Sequence, residues 1–261
     1  MKVDISVLGS GSAGNATVIR AGADVILVDA GFSGKKLAER LDQVGVKAEE
    51  ISAILVTHEH DDHVQGLRVF AKRHGGIPAY ANALTAERLG LMKKAPAAMK
   101  VFSNGALFTV GPFEVEAFSI SHDAVDPVGF SIRVNGVRVA LCTDLGVVGK
   151  MVPVKLQDHD LVVLESNHCP ELLRASTRPL SLQQRILSRR GHLSNQMAAD
   201  LVPQIASSRT KHFIMAHLSE DCNDRALVGR TMDRALAAIR RTDVNVVIAA
   251  QHQVCEPITL G

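Results

Sequence analysis

The chain has 261 residues, of which 46% are hydrophobic and 21% are charged, and its formal net charge is +2. This ordinary globular usage excludes disordered, collagen-like and disulfide-dense proteins, and the small net charge by itself indicates neither nucleic acid nor a membrane as a partner. The aromatic residues are eight Phe and one Tyr. So few rings argue against an extended surface on which the bases of a single strand could stack.

The cysteines and the apolar runs bear on the location of the protein. Four cysteines lie far apart without a C-x-x-C pair, and the first residues, MKVDISVLGS, lack the cationic-then-apolar order of a signal peptide. We therefore expect reduced thiols and a cytoplasmic protein. No apolar run approaches the roughly 18 residues of a membrane span, so we expect no membrane partner. The oligomeric state has no signature in the sequence.

The first half of the chain is predicted to begin with strands. Short apolar runs separated by Gly-rich turns carry this pattern, namely VDISVLGS, ATVIRAG and ADVILVDAG. A helix follows, with Ser33 as its N-cap and Gly45 at its end. The apolar run 51–56 predicts a buried strand that leads directly into the string HEHDDH, and a helix is predicted from about Val64 to Arg73.

The second half alternates strands with helices. Two hairpins are predicted in ALFTVGPFEVEAFSISH and GFSIRVNGVRVALCTDLG, the second with its turn at Asn135-Gly136. Strand LVVLES, a helical region over 180–206, strand HFIMAH, a long helix near 223–240 and strand NVVIAA follow. Because such an alternation places helices over sheets, we expect an α/β protein, as one domain over 1–261.

A glycine motif near the start matches a dinucleotide-binding fingerprint in spacing only. Gly9, Gly11 and Gly14 follow a strand as G-x-G-x-x-G, and Asp29 lies at the expected distance. The fingerprint needs a helix whose N-terminus faces the pyrophosphate, but the next residues, ATVI and then Gly22, are typical of a strand and a turn. We therefore reject nicotinamide binding.

Four side chains of metal-ligand type lie within six residues after the buried strand: His58, His60, Asp62 and His63. A loop at the carboxyl end of a buried strand can turn them toward one point. A solvated polar turn is the weaker alternative, because three imidazoles and a carboxylate seldom crowd a loop without a metal. We predict divalent metal ions, with Zn as first choice and Mn or Fe as alternatives, since a mixed His/Asp set suits all three.

The string H-x-H-x-D-H after a strand resembles the metallo-β-lactamase superfamily, which implies a four-layer αββα sandwich and a hydrolase. In that family Asp29 of LVDAG would orient the motif loop. His122 of SISHDA, Asp144 of LCTDLG and His217 of IMAHLS each end a predicted strand, in the family's order. The resemblance implies two ions, with His58, His60 and His122 on one, Asp62, His63 and His217 on the other, and Asp144 bridging. It also implies catalysis by a metal-bridging hydroxide, with Asp62 in the catalytic set.

Longer strings resemble one branch of this superfamily across nearly the whole chain. LGSGSAGNATVI, ILVTHEHDDHVQGL, CTDLG, ESNHC, RILSRRGHLSN and AHLSEDCN are similar, in the same order, to the YycJ (WalJ) branch. That branch is associated with DNA exonuclease activity. Two departures stand out: Cys169 replaces an Asp, and Arg178-Pro179-Leu180 replaces Tyr-Pro-Trp. We interpret Cys169 as a buried thiol rather than a nucleophile, because a two-metal site already supplies one.

Residues 172–192 support a phosphate substrate independently of the resemblance. The segment holds no acid and five arginines, namely Arg174, Arg178, Arg185, Arg189 and Arg190. Guanidinium groups suit bidentate phosphate contacts, although a solvated helix face is an equally good interpretation. His168 in SNHC and His192 in GHLSN are candidate phosphate donors or general acids. Each could instead be a cap or could orient a metal ligand.

The leading prediction is a bimetal-dependent phosphodiesterase that acts on DNA as an exonuclease. One alternative is a small-molecule metallohydrolase of thioesters or lactones. Another is a binding protein in which the metal is structural. An open bridging position argues against the last alternative, because structural zinc sites are typically closed by four protein ligands.

Overall fold

A computed structural model describes residues 2–261 of the chain. The backbone forms two compact units. The first contains the chain up to Ser119 together with Ala124–Val137 and Ala250–Gly261, and the second contains Ile120–Asp123 and Arg138–Ala249. The expectation of a single domain over 1–261 stays a prediction. No helix within residues 2–261 combines the length and the apolar character that crossing a membrane requires.

A seven-stranded sheet forms the centre of the first unit. Its strands are β1 (Val3–Gly9), β2 (Ala16–Ala21), β3 (Asp24–Val28), β4 (Ile51–Leu55), β5 (Ala79–Asn82), β6 (Met99–Phe102) and, from the end of the chain, β14 (Ile258–Leu260). Their order is β14-β1-β2-β3-β4-β5-β6. Pairing is antiparallel from β14 to β3 and parallel from β3 to β6. The parallel strands end at the same edge of the sheet, so the residues that follow β3 and β4 are neighbours.

The helices of the first unit cover this sheet with apolar faces. They are α1 (Gly34–Gln43), α2 (Asp61–Val64), α3 (Leu67–Arg73) and α4 (Ala83–Leu91), with a 3₁₀ turn at Ala48–Glu50. Ser33 caps α1 as predicted, because its side chain accepts a hydrogen bond from the backbone N of Lys36. Leu37 of α1 and Phe70 of α3 are fully buried in one core cluster with residues of the sheet. Burial of about 1.5–3 kcal/mol per large apolar side chain holds these elements together.

The helix predicted from about Val64 to Arg73 is confirmed as α3, which starts three residues later than predicted. Helix α2 ends at Val64 and α3 begins at Leu67. Between them, the backbone N of Gly66 donates to the carbonyl of Ala30 at 2.9 Å, and a Cβ at Gly66 would lie 2.0 Å from the carbonyl oxygen of Phe32. The chain therefore passes too close to 30–32 for one continuous helix with an ordinary side chain here.

Three antiparallel strands complete the first unit: β7 (Leu107–Val110), β8 (Phe113–Ser119) and β9 (Val128–Val134). The turn predicted after β9 is confirmed. Asn135 and Gly136 have φ angles of 52° and 80°, and positive φ at both positions is what a two-residue type I′ turn requires.

The second unit is built on parallel strands, as its alternating pattern predicts. They are β10 (Val137–Cys142), β11 (Leu161–Glu165), β12 (His212–Ala216) and β13 (Asn245–Ile248). Its helices are α5 (Met151–Leu156), α6 (Pro170–Ala175), α7 (Leu180–Leu187), α8 (Asn195–Ile205) and α9 (Arg225–Ala238). The carboxyl ends of β10, β11 and β12 lie at one edge of the sheet, where they deliver the loops of the candidate site.

The helical region predicted over 180–206 is two helices, α7 and α8, joined by a loop over 188–194. The backbone N of His192 donates to the carbonyl of Ile186 at 3.0 Å, so the chain turns back on α7. A Cβ at Gly191 would lie 2.1 Å from that carbonyl oxygen, which makes glycine necessary there. Ser194 then caps α8 by accepting a hydrogen bond from the backbone N of Met197. The interruption places His192 in a loop.

Candidate metal centre

In the first unit, Asp29 fixes the loop that carries the H-x-H-x-D-H string. It follows β3 directly and accepts a hydrogen bond at Oδ2 from Nδ1 of His63 at 2.7 Å. Its other oxygen, Oδ1, accepts from the backbone N of Thr57 at 2.9 Å. Because a carboxylate can only accept here, His63 carries its proton on Nδ1 and turns the lone pair of Nε2 the other way. This orienting contact is the one that the family resemblance implies for Asp29.

The ligand-type side chains of the string gather around His58. His58 and His63 are fully buried, whereas His60 and Asp62 are half-buried. The ring centroid of His58 lies 4.7 Å from that of His60 and 4.1 Å from that of His63. Oδ2 of Asp62 lies 3.5 Å from Nε2 of His63. Each of the four residues thus lies close to at least one other member of the string, and their role as metal ligands stays a prediction.

In the second unit, Glu165 organises the histidines, although the sequence analysis did not single it out. It is the last residue of β11 and fully buried. Oε1 accepts hydrogen bonds from Nδ1 of His192 at 2.8 Å and from Nδ1 of His217 at 3.0 Å. Oε2 accepts from the backbone N of Leu145 at 2.8 Å and of Leu193 at 2.9 Å. Both oxygens of the Glu165 carboxylate therefore accept hydrogen bonds from residues in the loops of the candidate site.

Asp144 is the shared neighbour of three imidazoles. Its Oδ1 lies 3.6 Å from Nε2 of His122, 3.5 Å from Nε2 of His217 and 3.7 Å from Nδ1 of His192. Asp144 itself is buried. Asp144, Glu165, His192 and His217 form a group whose ligand-type atoms all lie within 4.8 Å of one another. A buried carboxylate facing several imidazoles is a typical arrangement for binding a divalent cation.

Hydrogen bonds to the second ring nitrogen show that the histidines suit a metal. Nδ1 of three imidazoles donates to an oxygen: His63 to Asp29 at 2.7 Å, His122 to the carbonyl of Gly191 at 3.1 Å and His217 to Glu165 at 3.0 Å. In each case Nε2 faces a carboxylate of the same unit. Metal-binding histidines have this pattern, in which an oxygen fixes the tautomer and directs the other nitrogen to the ion. The residues therefore fit the metal that the fold family implies.

The pKa shifts of the second unit agree with this assignment. Burial lowers the pKa of His122, which favours the neutral imidazole that a metal requires. Burial by itself would raise the pKa of Glu165, but the charge of His192 and the hydrogen bonds from His192 and His217 hold that pKa well below its usual range. Glu165 is therefore an anion that fixes the two imidazoles.

Three residues of the candidate centre have left-handed backbone conformations just after strands. The φ angle is 62° at Asp29, 59° at Asp144 and 55° at His217. Such angles are uncommon for residues other than Gly and cost of order 1–3 kcal/mol when the surroundings impose them. The left-handed turn directs each side chain across the end of its strand. Backbone strain therefore lies at Asp29, Asp144 and His217 themselves.

His168 and Cys169 belong to none of the groups of ligand-type atoms in the described chain that lie within 4.8 Å of one another. His168 is 1% exposed, forms an isolated β-bridge with Ser194, and its Nδ1 has no hydrogen-bond partner within residues 2–261. Burial lowers its pKa to about 4. Cys169 is buried, as predicted, and its Sγ lies 2.9 Å from Oε2 of Glu171. His168 is therefore a neutral, enclosed imidazole at neutral pH.

The arginine segment 172–192 has two kinds of guanidinium group. Arg178 forms an ion pair with Asp221, and Arg185 forms one with Asp123, the neighbour of His122. Arg174, Arg189 and Arg190 are exposed and make no ion pair with any residue of the described chain. The charge that the segment can offer a ligand is therefore concentrated in these last three residues.

Glu165 and the other residues that hold the histidines in place were not predicted from the sequence. Glu165 stands in the quoted string ESNHC, and the signal was its position at the end of an apolar strand, the same signal that identified Asp144 and His217. Asn15, in the Gly-rich string, is a second such residue. Its contacts depend on the folding of the glycine loop, which spacing alone does not reveal.

Comparisons with known proteins agree with this geometry. The model of the metallo-beta-lactamase superfamily matches residues 9–192. Exodeoxyribonuclease YycJ of Bacillus anthracis is 38% identical over 238 residues, which cover 90% of each chain. Exodeoxyribonuclease WalJ of Streptococcus pneumoniae is 37% identical over 236 residues, 89% of this chain and 87% of the relative.

A solved structure supports the fold separately. The metallo-beta-lactamase fold protein YhfI from Bacillus subtilis superposes with a TM-score of 0.73 at 19% identity, over 97% of this chain and 99% of the other. The predicted αββα sandwich, two mixed sheets flanked by helices, is thereby confirmed. The family match over more than half of the sequence and the identity to full-length relatives lead to one conclusion: the chain belongs to the metallo-β-lactamase superfamily.

Proposed function

We propose that this protein is a divalent-metal-dependent phosphodiesterase that degrades DNA as an exonuclease in the cytoplasm. The observation that carries the proposal is the set of buried imidazoles and carboxylates. In this set, oxygen acceptors fix the tautomers of three imidazoles. Two relatives named exodeoxyribonuclease, at 37% and 38% identity over about nine-tenths of the chain, support DNA as the substrate. A fold alone does not determine a substrate, so the choice of DNA also depends on the residues near the proposed ligands.

The proposed ligands are the seven residues that the sequence predicts: His58, His60, Asp62, His63, His122, Asp144 and His217. Mixed imidazole and carboxylate donors suit Zn, with Mn and Fe as alternatives. When bound, two divalent ions supply a water of lowered pKa as the nucleophile and stabilise charge on the attacking and leaving oxygens. Asp29 and Glu165 are the residues that keep the imidazoles in the required tautomer.

His192 is the proposed general acid. Glu165 accepts the Nδ1 proton of His192 at 2.8 Å, so Nε2 is the ring nitrogen that would carry the transferred proton. Glu165 thereby orients the ring, and the half-buried position leaves the ring open to a substrate. From Nε2 the proton would pass to the oxygen that leaves the phosphorus. A positioned acid of this kind contributes typically about 10²–10⁴-fold to the rate.

His168 has a different proposed role. Its burial and its pKa of about 4 leave it without a proton to donate at neutral pH. Its backbone carbonyl accepts from the N of Asn195 at 2.9 Å, and its β-bridge to Ser194 joins the loop after β11 to the start of α8. Of the two histidines that the sequence offers as general acid, the geometry therefore favours His192, with His168 in a supporting position.

The arginine segment is the proposed contact to the DNA backbone. Arg189 and Arg190 lie in the same loop as His192, and their guanidinium groups are exposed. Phosphate contacts of this kind orient a duplex without reading its bases. They account for substrate binding in a chain whose net charge is only +2.

A comparison of turnover on four substrates tests the proposal. The metal-reconstituted protein is incubated separately with linear duplex DNA, RNA, a thioester and a lactone, and His192→Ala is the matched variant that keeps every proposed ligand. We expect metal-dependent release of nucleotides from DNA, slowed by about 10²-fold or more in His192→Ala. Turnover of the thioester or lactone with DNA left intact would instead identify a small-molecule hydrolase, and metal binding without any turnover would identify a binding protein.

A further inference from the structure

The Gly-rich loop between β1 and β2, which resembles a dinucleotide fingerprint, has a different structural reason for its glycines. A Cβ at Gly9 would lie 1.8 Å from Nη1 of Arg40, and one at Gly14 would lie 2.6 Å from the ring of Phe32. Their φ angles of 158° and 148° also disfavour other residues. The glycines therefore allow the loop to pack tightly on buried side chains, and this packing determines the position of the residue at its end, Asn15.

The side-chain amide of Asn15 has a single chemically consistent orientation. Its Oδ1 lies 2.9 Å from the backbone N of Gly11, which can only donate, and 2.8 Å from Oγ of Ser10. Oδ1 is therefore the acceptor at this end, and the NH₂ group points the other way. The backbone is fixed as well, because the N of Asn15 donates to the carbonyl of Asp62 at 2.7 Å.

The NH₂ group of Asn15 faces two proposed metal ligands. Nδ2 lies 3.2 Å from Oδ2 of Asp62 and 3.1 Å from Nε2 of His63, and these two ligand atoms lie 3.5 Å from each other. One of the two protons is directed to the carbonyl of Gly11 at 3.0 Å. The other has three acceptors within reach: the carboxylate oxygen and the backbone carbonyl of Asp62, the latter at 3.3 Å, and the imidazole lone pair of His63.

We propose that Asn15 is a positioning residue for the Asp62–His63 ligand pair, and this inference rests on the proposed metal-dependent function. Its amide proton holds the two ligand atoms, Oδ2 of Asp62 and Nε2 of His63, in position before a metal binds. When a cation occupies the lone pair of His63, the proton has Asp62 as its remaining ligand acceptor. The carboxylate thus keeps a donor in both states, which fixes the carboxylate and lowers its reorganisation on binding.

Gly31 shows how closely the three loops fit together. A Cβ at that position would lie 1.7 Å from the carbonyl oxygen of Asp62 and 2.6 Å from the backbone N of Asn15, and the N of Gly31 donates to the carbonyl of Asn15 at 3.0 Å. The loop of Asn15 could therefore serve only to hold the fold together. That role would change stability alone, whereas a positioning role changes metal affinity in a protein that is still folded.

Metal titration separates these two roles. The full-length protein is stripped with a chelator and titrated with Zn²⁺ against a chromophoric competitor, as the wild type, as Asn15→Ala and as the control Asn104→Ala. Asn104 is also a hydrogen-bonded side-chain amide of the first unit, and its partners are Asn82, Ser119 and Asp126 rather than proposed metal ligands. We expect Asn15→Ala to weaken binding of one metal equivalent by about 10–100-fold. Asn104→Ala should bind like the wild type.

A spectroscopic readout on the wild type covers the case in which Asn15→Ala does not fold. The side-chain amide signal of ¹⁵N-labelled Asn15 should shift when Zn²⁺ is added, because its proton loses the imidazole acceptor, and the Asn104 signal should stay in place. A static Asn15 signal during Zn²⁺ binding, or wild-type affinity in Asn15→Ala, would overturn the inference. Failure of the proposed function looks different: the DNA would stay intact while the Zn²⁺ titrations still show the dependence on Asn15.

Discussion

Glu165 accepts the Nδ1 proton of His192 at 2.8 Å on the same oxygen, Oε1, that accepts from Nδ1 of His217 at 3.0 Å. One buried carboxylate thus orients both a proposed metal ligand and the proposed general acid. Glu165→Gln has nearly the same shape but removes the negative charge, and its NH₂ group can take the place of an acceptor. We expect turnover to fall by about 10²–10⁴-fold, since both the acid and the ligand lose their orientation.

Kinetics at a series of pH values test this prediction. The DNA turnover of Glu165→Gln is compared with that of Gln196→Ala, a change of an exposed residue on α8. Turnover of Glu165→Gln should stay below that of Gln196→Ala across the whole pH series, because His192 and His217 lose the carboxylate that orients them. Wild-type turnover with an unchanged profile would remove Glu165 and His192 from the proposed mechanism.

Asp29 provides a second isosteric test. Asn tolerates the left-handed φ of 62° at this position, so Asp29→Asn should keep the backbone while losing the anionic acceptor of His63 Nδ1. We expect the affinity for one metal equivalent to fall by about 10–100-fold, the typical effect of losing such a partner. Calorimetric titration with Zn²⁺ measures it, and equal affinities in the two proteins would contradict the orienting role.

His168 predicts a pH dependence of stability. Its folded pKa of about 4 lies below the ordinary value near 6.5, so the unfolded chain binds the proton more readily between these pH values. Stability from this residue is fully present above pH 6.5 and is lost as the pH falls toward 4. Between pH 7 and pH 5 we expect a loss of about 2 kcal/mol of unfolding free energy from His168.

Urea denaturation of the metal-free protein measures this loss. The wild type and His168→Gln are compared at pH 7 and at pH 5, so that the other histidines contribute equally to both proteins. The variant should show the smaller decrease in unfolding free energy on acidification. Parallel decreases in the two proteins would show that His168 does not titrate as its burial requires.

The ion pairs of the arginine segment predict which residues contact DNA. Replacing a residue that contacts phosphate should flatten the slope of log affinity against log salt by about one unit, and we expect this for Arg189→Ala and Arg190→Ala. Arg185 is paired with Asp123, so Arg185→Ala should change the slope less. Binding isotherms with the non-hydrolysing Asp144→Asn at several salt concentrations measure the slopes. Unaltered slopes in all three variants would show that the segment is a solvated surface and does not contact DNA.

The sequence predicted the parts of the fold that depend on local pattern. Apolar runs, the cap at Ser33 and the turn at Asn135-Gly136 are short-range signals, and the structure confirms them. The proposed ligands were predicted from the H-x-H-x-D-H string after β4 and, for His122, Asp144 and His217, from strand ends in the order of the resembling family. The helix breaks were missed, because they arise from close approach of distant segments, such as Gly66 against Phe32.

The supporting residues of the site were missed for the same reason. Glu165 and Asn15 act through hydrogen bonds to residues far away in the chain, and periodicity carries no information about such contacts. The glycines before Asn15 were noticed only as a nucleotide motif. Their role in packing against Arg40 and Phe32 depends on the folded loop.

The central claim is that the protein degrades DNA from an end with the help of bound metal. The most direct measurement incubates the Mn²⁺- or Zn²⁺-loaded protein with equal amounts of linear duplex DNA and covalently closed circular DNA, beside Asp144→Asn treated in the same way. We predict that the wild type shortens the linear DNA progressively and leaves the circle intact, and that Asp144→Asn does neither. Intact linear DNA with every metal, or cleavage of the circle at the same rate, would contradict the account.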